Sequence, residues 1–320
     1  MRAVTYSDYG GPEQLRLVEK SRPKPGKGRV LVRVAACGLN GSDKEFLTGR
    51  PAYARLYGVR RPRISVLGSD IAGVIEELGA DVDGFSVGDR VLADNFELFG
   101  GLAEYAVLRA DRVMALPDEI SFRDAACLPQ SAAIAWAGVH DVGKVQAREH
   151  VLVNGAGGAG GVLAVQLAKL AGANVTAVDR ADTHDSLRAL GAEVVIDYRT
   201  TDFASGPTKY DLIFDFFATR PARTILPVLT ENGRYLAVGG PVPIVLNLLV
   251  MGWLRGRLAR KWVGILAAPP DKARVGKVME RVMRGEVKTV IGGTYSLEHA
   301  ADAFADMMDG RITGKVVVEP

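Results

Sequence analysis

Residues 150–180 read "HVLVNGAGGAGGVLAVQLAKLAGANVTAVDR", and the fold turns on them. An apolar run rich in β-branched residues leads into a glycine-dense turn. A long apolar stretch with helical composition follows, and then a second apolar run ending at Asp179. Strand, glycine turn, helix and strand in that order make a βαβ unit. The glycines fit two registers of one motif, Gly155-x-Gly157-x-x-Gly160 or Ala156-x-Gly158-x-x-Gly161. Either register supplies a tight turn, a backbone that a pyrophosphate can approach, and a helix N-terminus whose amides and dipole favour an anion. The strand before the turn, the helix after it and the acid 18 residues beyond Gly161 are the context that makes such a motif informative. Ala156, Gly157, Gly158, Ala159, Gly160, Gly161 and Val162 are therefore expected to hold a dinucleotide phosphate. The competing reading is a glycine turn that serves packing alone. Asp179 stands where a carboxylate accepts hydrogen bonds from the adenine ribose hydroxyls, which tilts the coenzyme toward NADH. Arg180 follows directly and keeps NADPH open, as a stacking partner for adenine or a pair for a 2′-phosphate.

Working outward, strands and helices continue to alternate. "EVVID", "YDLIFDF" and "RYLAVGG" read as strands, with "HDSLRALGA" and "ARTILPVLTENG" as the helical segments. The alternation predicts a doubly wound parallel sheet over residues 122–265. Residues 1–121 have a different texture, with short strands such as "RVLVRVAACGL" and "VLGSDIAGVIEELG" punctuated by Gly and Pro, an all-β pattern. Ser121 is placed to cap a helix that starts the alanine-rich stretch after it. The tail from residue 295 reads as a helix, a turn and a last strand. The fold class is α/β with a second, β-rich domain, and 320 residues suit two domains.

Composition removes several function classes. A net charge of +3 with no long basic run gives no reason to expect nucleic acid. Two cysteines, Cys37 and Cys127, cannot build a disulfide framework or a four-cysteine zinc site. That usage, with no apolar leader at the start, gives a cytoplasmic expectation. The stretch 241–262, "PVPIVLNLLVMGWLRGRLARKW", is interrupted by Asn247 and falls short of the ~20 apolar residues a spanning helix needs. It is expected to be a buried or interface helix with a basic end. The other reading lays it on a membrane surface, with Arg255, Arg257, Arg260 and Lys261 toward the headgroups.

Several motifs together resemble one family. "ACGLNGSD" (36–43), "VLGSDIAG" (66–73), "GDRV" (88–91), "GGLAEYAV" (100–107), the glycine turn, "LRALGAEVVIDY" (187–198) and "GKVVV" (314–318) resemble the medium-chain dehydrogenase/reductase superfamily, and within it the zinc-free, quinone oxidoreductase-like branch. The resemblance spans nearly the whole chain. It implies a GroES-like substrate domain from residues 1–121 and 266–320, a Rossmann domain at 122–265, and NAD(P)H in the cleft between them. It also implies a homodimer formed through cofactor-domain edge strands. In zinc-dependent relatives three positions carry metal ligands; here they hold Asn40, Ser69 and Gln130, none of which suits zinc. The resemblance therefore implies no metal, and an acceptor whose charge on reduction is spread out, a quinone or an α,β-unsaturated carbonyl.

The candidate residues follow from that. Asn40 is the first choice as a donor to the nicotinamide or the substrate oxygen, against a turn-capping role. Asp43 and Lys44 are expected to pair in solvent. Tyr53 and Tyr57 lie in a loop that borders the substrate pocket in relatives, and either hydroxyl could donate to the developing oxyanion. Ser69 and Gln130 could bind a polar group of the substrate. Where the branch often has Thr, this chain has Ile134, so either the carboxamide relies on backbone groups around Val238, Gly239, Gly240 and Pro241, or the nicotinamide subsite is looser than usual. Tyr198 matches a position against the adenosine end. Phe216 and Phe217 are expected in the core, as an alternative to walling the cofactor cleft. Cys37 reads as a core residue, and the four histidines as surface or capping residues. Two further functions stay open: an enoyl reductase dedicated to one biosynthetic substrate, and a non-catalytic NAD(P)H-binding protein.

Overall fold

A computed structural model describes residues 1–320, with the side chain of Tyr57 outside the described set. The chain divides into two compact units. The first comprises residues 1–131, 275–284 and 289–320, and the second residues 132–274 and 285–288.

The first unit begins with a two-stranded antiparallel ribbon, β1 (Arg2–Thr5) and β2 (Arg16–Glu19). Its main sheet contains β3 (Arg29–Leu39), β4 (Asp70–Leu78), β5 (Arg90–Asp94), β6 (Tyr105–Arg109) and β7 (Met114–Ala115). β3 is the spine, pairing antiparallel with both β4 and β6. Its inward residues Val30, Val32 and Val34 are buried with Ile75, Val91, Phe99 and Leu108. Ser121 caps the helix Phe122–Ala126, its hydroxyl accepting from the Asp124 amide at 3.1 Å. Pro129 then starts a second helix, Pro129–Trp136.

The second unit is one parallel sheet of β8 (His150–Asn154), β9 (Asn174–Asp179), β10 (Val194–Asp197), β11 (Tyr210–Asp215), β12 (Leu229–Ala237) and β13 (Trp262–Ile265). The spatial order is β10-β9-β8-β11-β12-β13. Renumbered within the unit this is 3-2-1-4-5-6, the doubly wound order whose ligand crevice lies where the winding reverses, between β8 and β11. The helix Ala159–Leu170 is buried from Gly161 to Ala168, which explains a sequence apolar all round. One expectation is corrected here. "ARTILPVLTENG" is α-helical only at Ala222–Ile225 and tightens to a 3-10 turn at Leu226–Val228, because Pro227 cannot continue the α-helical hydrogen-bond ladder, and β12 starts at Leu229.

Two further strands, β14 (Ile291–Ser296) and β15 (Lys315–Glu319), return to the first unit. β15 pairs antiparallel with β3, setting Val316 opposite Leu39 and Val317 opposite Gly38. That register brings the start of the last strand to the "ACGLN" motif.

Candidate functional site

Every coenzyme residue expected from the sequence, apart from those within the first helical turn, lies at or just past the carboxyl end of a strand in the parallel sheet. The glycine turn follows β8, Asp179 ends β9, Tyr198 follows β10, Phe216 and Phe217 follow β11, and Val238, Gly239 and Gly240 follow β12. The glycine roles cut across both sequence registers. Gly155 takes φ +77°, the left-handed conformation that makes the turn. A Cβ on Gly157 would stand 2.9 Å from the Asp179 carboxyl, and one on Gly161 would stand 2.2 Å from the Gly155 carbonyl. Val162 N–H is bonded back to the Gly158 carbonyl at 3.0 Å, so the amides of residues 159–161 point past the helix end, where the dipole favours an anion. This backbone cradle, in which only Ala156 and Ala159 carry a Cβ, fits a pyrophosphate.

Asp179 is held in place. One carboxylate oxygen accepts from Gly157 N–H at 2.7 Å and the other from Arg180 N–H at 2.8 Å. Arg180 is buried rather than solvent-facing, and its Nε lies 3.2 Å from Asp182. Tyr198 donates its backbone N–H to the Asp179 carbonyl at 3.3 Å, and its ring is half exposed beside that carboxylate's strand. Phe216 packs on the turn, where a Cβ on Gly160 would meet its ring at 2.5 Å. Phe217 departs from the core expectation: it is 68% exposed, because its position beyond the end of β11 carries it out of the sheet. Gly240 approaches Ala218 so closely that a Cβ would lie 2.3 Å from the Ala218 carbonyl, while Gly239 faces open space. Ile134 sits half-buried in the helix Pro129–Trp136.

Sequence reasoning missed a buried polar network under this edge. Asp215, at the end of β11, accepts from Asn154 Nδ2 at 2.7 Å, Phe217 N–H at 2.9 Å and the Tyr235 hydroxyl at 2.7 Å. Burial raises its carboxyl above the usual range, with these three donors opposing. Nothing in the spacing of residues 154, 215 and 235 announces the trio.

The first unit holds a second cluster, around the residues that stand at the zinc-ligand positions of relatives. Lys315, fully buried, donates from Nζ to Asp70 Oδ2 at 2.6 Å, to Asn40 Oδ1 at 2.6 Å and to Ser131 Oγ at 3.4 Å. Asn40 Nδ2 donates to Ser69 Oγ at 3.0 Å. The Gln130 backbone N–H donates to Asp70 at 3.2 Å, and its side-chain oxygen accepts from Ser42 at 3.4 Å. Gly38 makes the approach feasible, since a Cβ there would lie 2.0 Å from the Ala126 carbonyl and 2.5 Å from Lys315 Cε. Asn40 stands at the N-cap of the helix Gly41–Thr48 in a capping box with Asp43, whose carboxylate accepts from the Asn40 N–H at 2.8 Å, and its side-chain amide also bonds Lys315 and Ser69.

Asp43 corrects its expectation. It is fully buried rather than paired with Lys44 in solvent, its two oxygens accepting from Asn40 N–H and Gly68 N–H, each at 2.8 Å. Burial pushes its carboxyl up to about 7 despite those donors. Asp94, opposite Asp70 in the β4–β5 register, is likewise raised to about 7 by burial and by the Asp70 charge.

Tyr53 is half exposed and donates its hydroxyl to Glu45. The Tyr57 side chain lies outside the described residues. Cys37 is a core residue of β3, and burial holds its thiol well above the ordinary range. The His140 ring stacks on Trp136, centroids 4.2 Å apart. Among the described residues no three His, Cys, Asp or Glu side chains gather as a metal site.

Comparison with known proteins agrees with this geometry. Residues 26–118 match the profile described as "Alcohol dehydrogenase GroES-like domain", and residues 190–318 that described as "Zinc-binding dehydrogenase". The chain is 32% identical to the chloroplastic quinone-oxidoreductase homolog of Spinacia oleracea, over 100% of this chain and 98% of that protein. It is 30% identical to the 2-methylene-furan-3-one reductase of Solanum lycopersicum, over 100% of this chain and 79% of that one. Among solved structures, the quinone oxidoreductase from Coxiella burnetii superposes with a TM-score of 0.90 at 27% identity, covering 100% of this chain and 99% of that one.

Proposed function

Because the chain belongs to the quinone oxidoreductase-like branch of the medium-chain dehydrogenase/reductase superfamily, we propose that it passes hydride from NAD(P)H to a quinone or an α,β-unsaturated carbonyl without a metal. The observation behind this reading is the buried Lys315, whose ammonium holds Asn40 and Asp70 beside the positions where zinc relatives carry ligands. Reduction of an unconjugated ketone localises charge on one oxygen, which a Lewis acid stabilises. A quinone or enone spreads that charge into a phenolate or enolate, and a few fixed donors are enough to hold it.

In this reading Asn40 is the donor. Its Oδ1 is tied to Lys315, so its Nδ2 is the atom left to serve Ser69 and a substrate oxygen. The cation on the carbonyl side also makes the amide N–H a stronger donor. Tyr53, with its hydroxyl on Glu45, is a second candidate for the oxyanion or for proton delivery. The coenzyme, when bound, supplies the hydride; the glycine turn and the amides of residues 159–161 would hold its pyrophosphate, and Asp179 its adenine ribose. We read NADH as the preferred form, since the fixed Asp179 carboxylate repels a 2′-phosphate and Arg180 is engaged with Asp182.

The names of the two relatives divide between a quinone and an enone, so the acceptor has to be measured. Dialysed protein with NADH would be offered 1,4-benzoquinone, a small enone and cyclohexanone. The reading expects turnover of one or both activated acceptors and none of the ketone. Turnover of cyclohexanone alone would overturn it, and coenzyme binding without oxidation by any acceptor would point to a dedicated substrate or a non-catalytic role.

A further inference from the structure

We propose that the acceptor this site favours carries a carboxylate or phosphate, held by the arginine-rich loop 50–63; this rests on the reductase reading above and narrows its substrate class. The loop is a closed excursion from the Asn40 cluster. It leaves at Gly49, which ends the helix that Asn40 caps, and the chain returns to the cluster at Gly68 and Ser69. There Gly68 N–H donates to Asp43 at 2.8 Å, and Asn40 Nδ2 donates to Ser69 Oγ at 3.0 Å. In between, the short 3-10 helix Ala52–Tyr57 is fastened to the Asn40-capped helix. Arg50 N–H donates to the Glu45 carbonyl at 3.1 Å, Arg55 Nε to the Gly49 carbonyl at 3.1 Å, and the Tyr53 hydroxyl to the Glu45 carboxylate. The Gly58 carbonyl accepts from the Tyr9 hydroxyl at 2.6 Å. These bonds make the loop a fixed rim on the first unit.

Charge defines the ligand. Residues 50–63 carry five arginines and no Asp or Glu, in a chain whose net charge is +3, so the rest of the molecule is net acidic. Two of the five are engaged. Arg61 pairs with Asp8 at 3.3 Å, and Arg55 lies over the Tyr9 ring, 4.7 Å from its centroid. Arg50, Arg60 and Arg63 are exposed, and among the described residues none of their guanidinium groups is in a salt bridge or a hydrogen bond. Like charges concentrated on one loop repel one another, a cost that a bound anion relieves. The planar fork of a guanidinium suits the paired oxygens of a carboxylate or phosphate. Leu56 and Val59, 80% and 75% exposed between the arginines, offer apolar contact to the body of the same molecule. With both ends of the loop at the Asn40 cluster, Asn40 would receive the oxygen of the reducible group and the arginines the anion at the far end.

Three acceptors that differ in one group test this: benzylideneacetone bearing a para-carboxylate, a para-phosphonate or a neutral para-carboxamide. Initial rates with NADH should give a kcat/KM at least about 10-fold higher for an anion than for the carboxamide, the worth of one charge-assisted hydrogen bond. The gain should lie in KM, because a group remote from the reacting carbon is held equally in the ground and transition states. It should shrink at high salt. In the triple variant Arg50→Gln/Arg60→Gln/Arg63→Gln, which should melt at the wild-type temperature, the preference should disappear. The better of the two anions in the wild type names the group. Equal kcat/KM for all three acceptors, or a preference that the triple variant keeps, overturns the proposal and leaves the reductase reading standing. Should none of the three be reduced, it is that reading that fails, and calorimetry with the saturated ketones decides the proposal. An anion that binds the wild type at least about 10-fold more tightly than the carboxamide does, and loses that margin in the triple variant, upholds it; equal affinities overturn it.

Discussion

Lys315 Nζ stands 2.6 Å from Asn40 Oδ1, and because an ammonium can only donate, the Asn40 amide is fixed with its nitrogen turned toward Ser69. The orientation of a side-chain amide is often ambiguous; here a cation 275 residues away in sequence decides it. Replacing Lys315 with Met removes that constraint. It also strands Asp70, and an unpaired buried carboxylate costs about 3–5 kcal/mol of stability. The double variant Lys315→Met/Asp70→Asn separates the two effects. It should recover most of the melting temperature while kcat stays ~100-fold below wild type, the order of loss seen when an oxyanion donor is removed. Asn40→Ala combined with it should be strongly non-additive in kcat, because both changes remove one donor. Full activity in the double variant would remove Lys315 from the mechanism.

In the proposed reading Asp179 carries the coenzyme preference. Asp179→Ser removes the carboxylate that accepts from Gly157 N–H and Arg180 N–H. The KM for NADH should rise and that for NADPH fall, with the ratio moving about 10- to 100-fold, the range of one or two charge-assisted hydrogen bonds. Initial rates with each coenzyme at a fixed acceptor concentration check this.

The glycine turn can be tested by position. Gly161→Ala places a Cβ 2.2 Å from the Gly155 carbonyl, so backbone must shift. It should cost about 1–3 kcal/mol and weaken coenzyme binding measured by nicotinamide fluorescence. Gly158→Ala meets its nearest atom at 3.4 Å and should be tolerated in both respects.

Stability should fall as pH rises through neutrality. Asp43 and Asp94, with carboxyls at about 7, face Asp70 and the single cation Lys315. In each case the folded state holds a proton that the unfolded chain releases near pH 4. The stabilisation is therefore complete below about pH 4 and is lost as pH passes about 7. Urea midpoints across that window should decline, and Asp94→Asn should flatten the slope.

How far the sequence discloses this site depends on the range of the contacts involved. The βαβ unit, its glycine turn and Asp179 are legible because strand, turn, helix and acid are consecutive, and local geometry follows local order. The doubly wound parallel sheet is legible from alternation, whereas its strand order is not. The Lys315–Asp70–Asn40 cluster is not legible, since its members lie on three elements joined only by the β15–β3–β4 register. Asp43 misled for a related reason. Beside Lys44 it reads as a surface charge, but its place in the first turn of the helix Gly41–Thr48 and the Gly68 amide draw it inward. Residues 242–258 were legible in composition and not in facing, because glycines at 252 and 256 invert the usual rule that large apolar side chains turn inward.

Single-turnover oxidation of NADH by 1,4-benzoquinone and by a small enone, followed at the nicotinamide absorbance band in protein stripped of metal, tests the central claim most directly. Hydride transfer well above the protein-free control, unchanged by chelator and by added zinc and reduced ~100-fold in Asn40→Ala, is the predicted result. A rate that disappears on chelation and returns with zinc would contradict it.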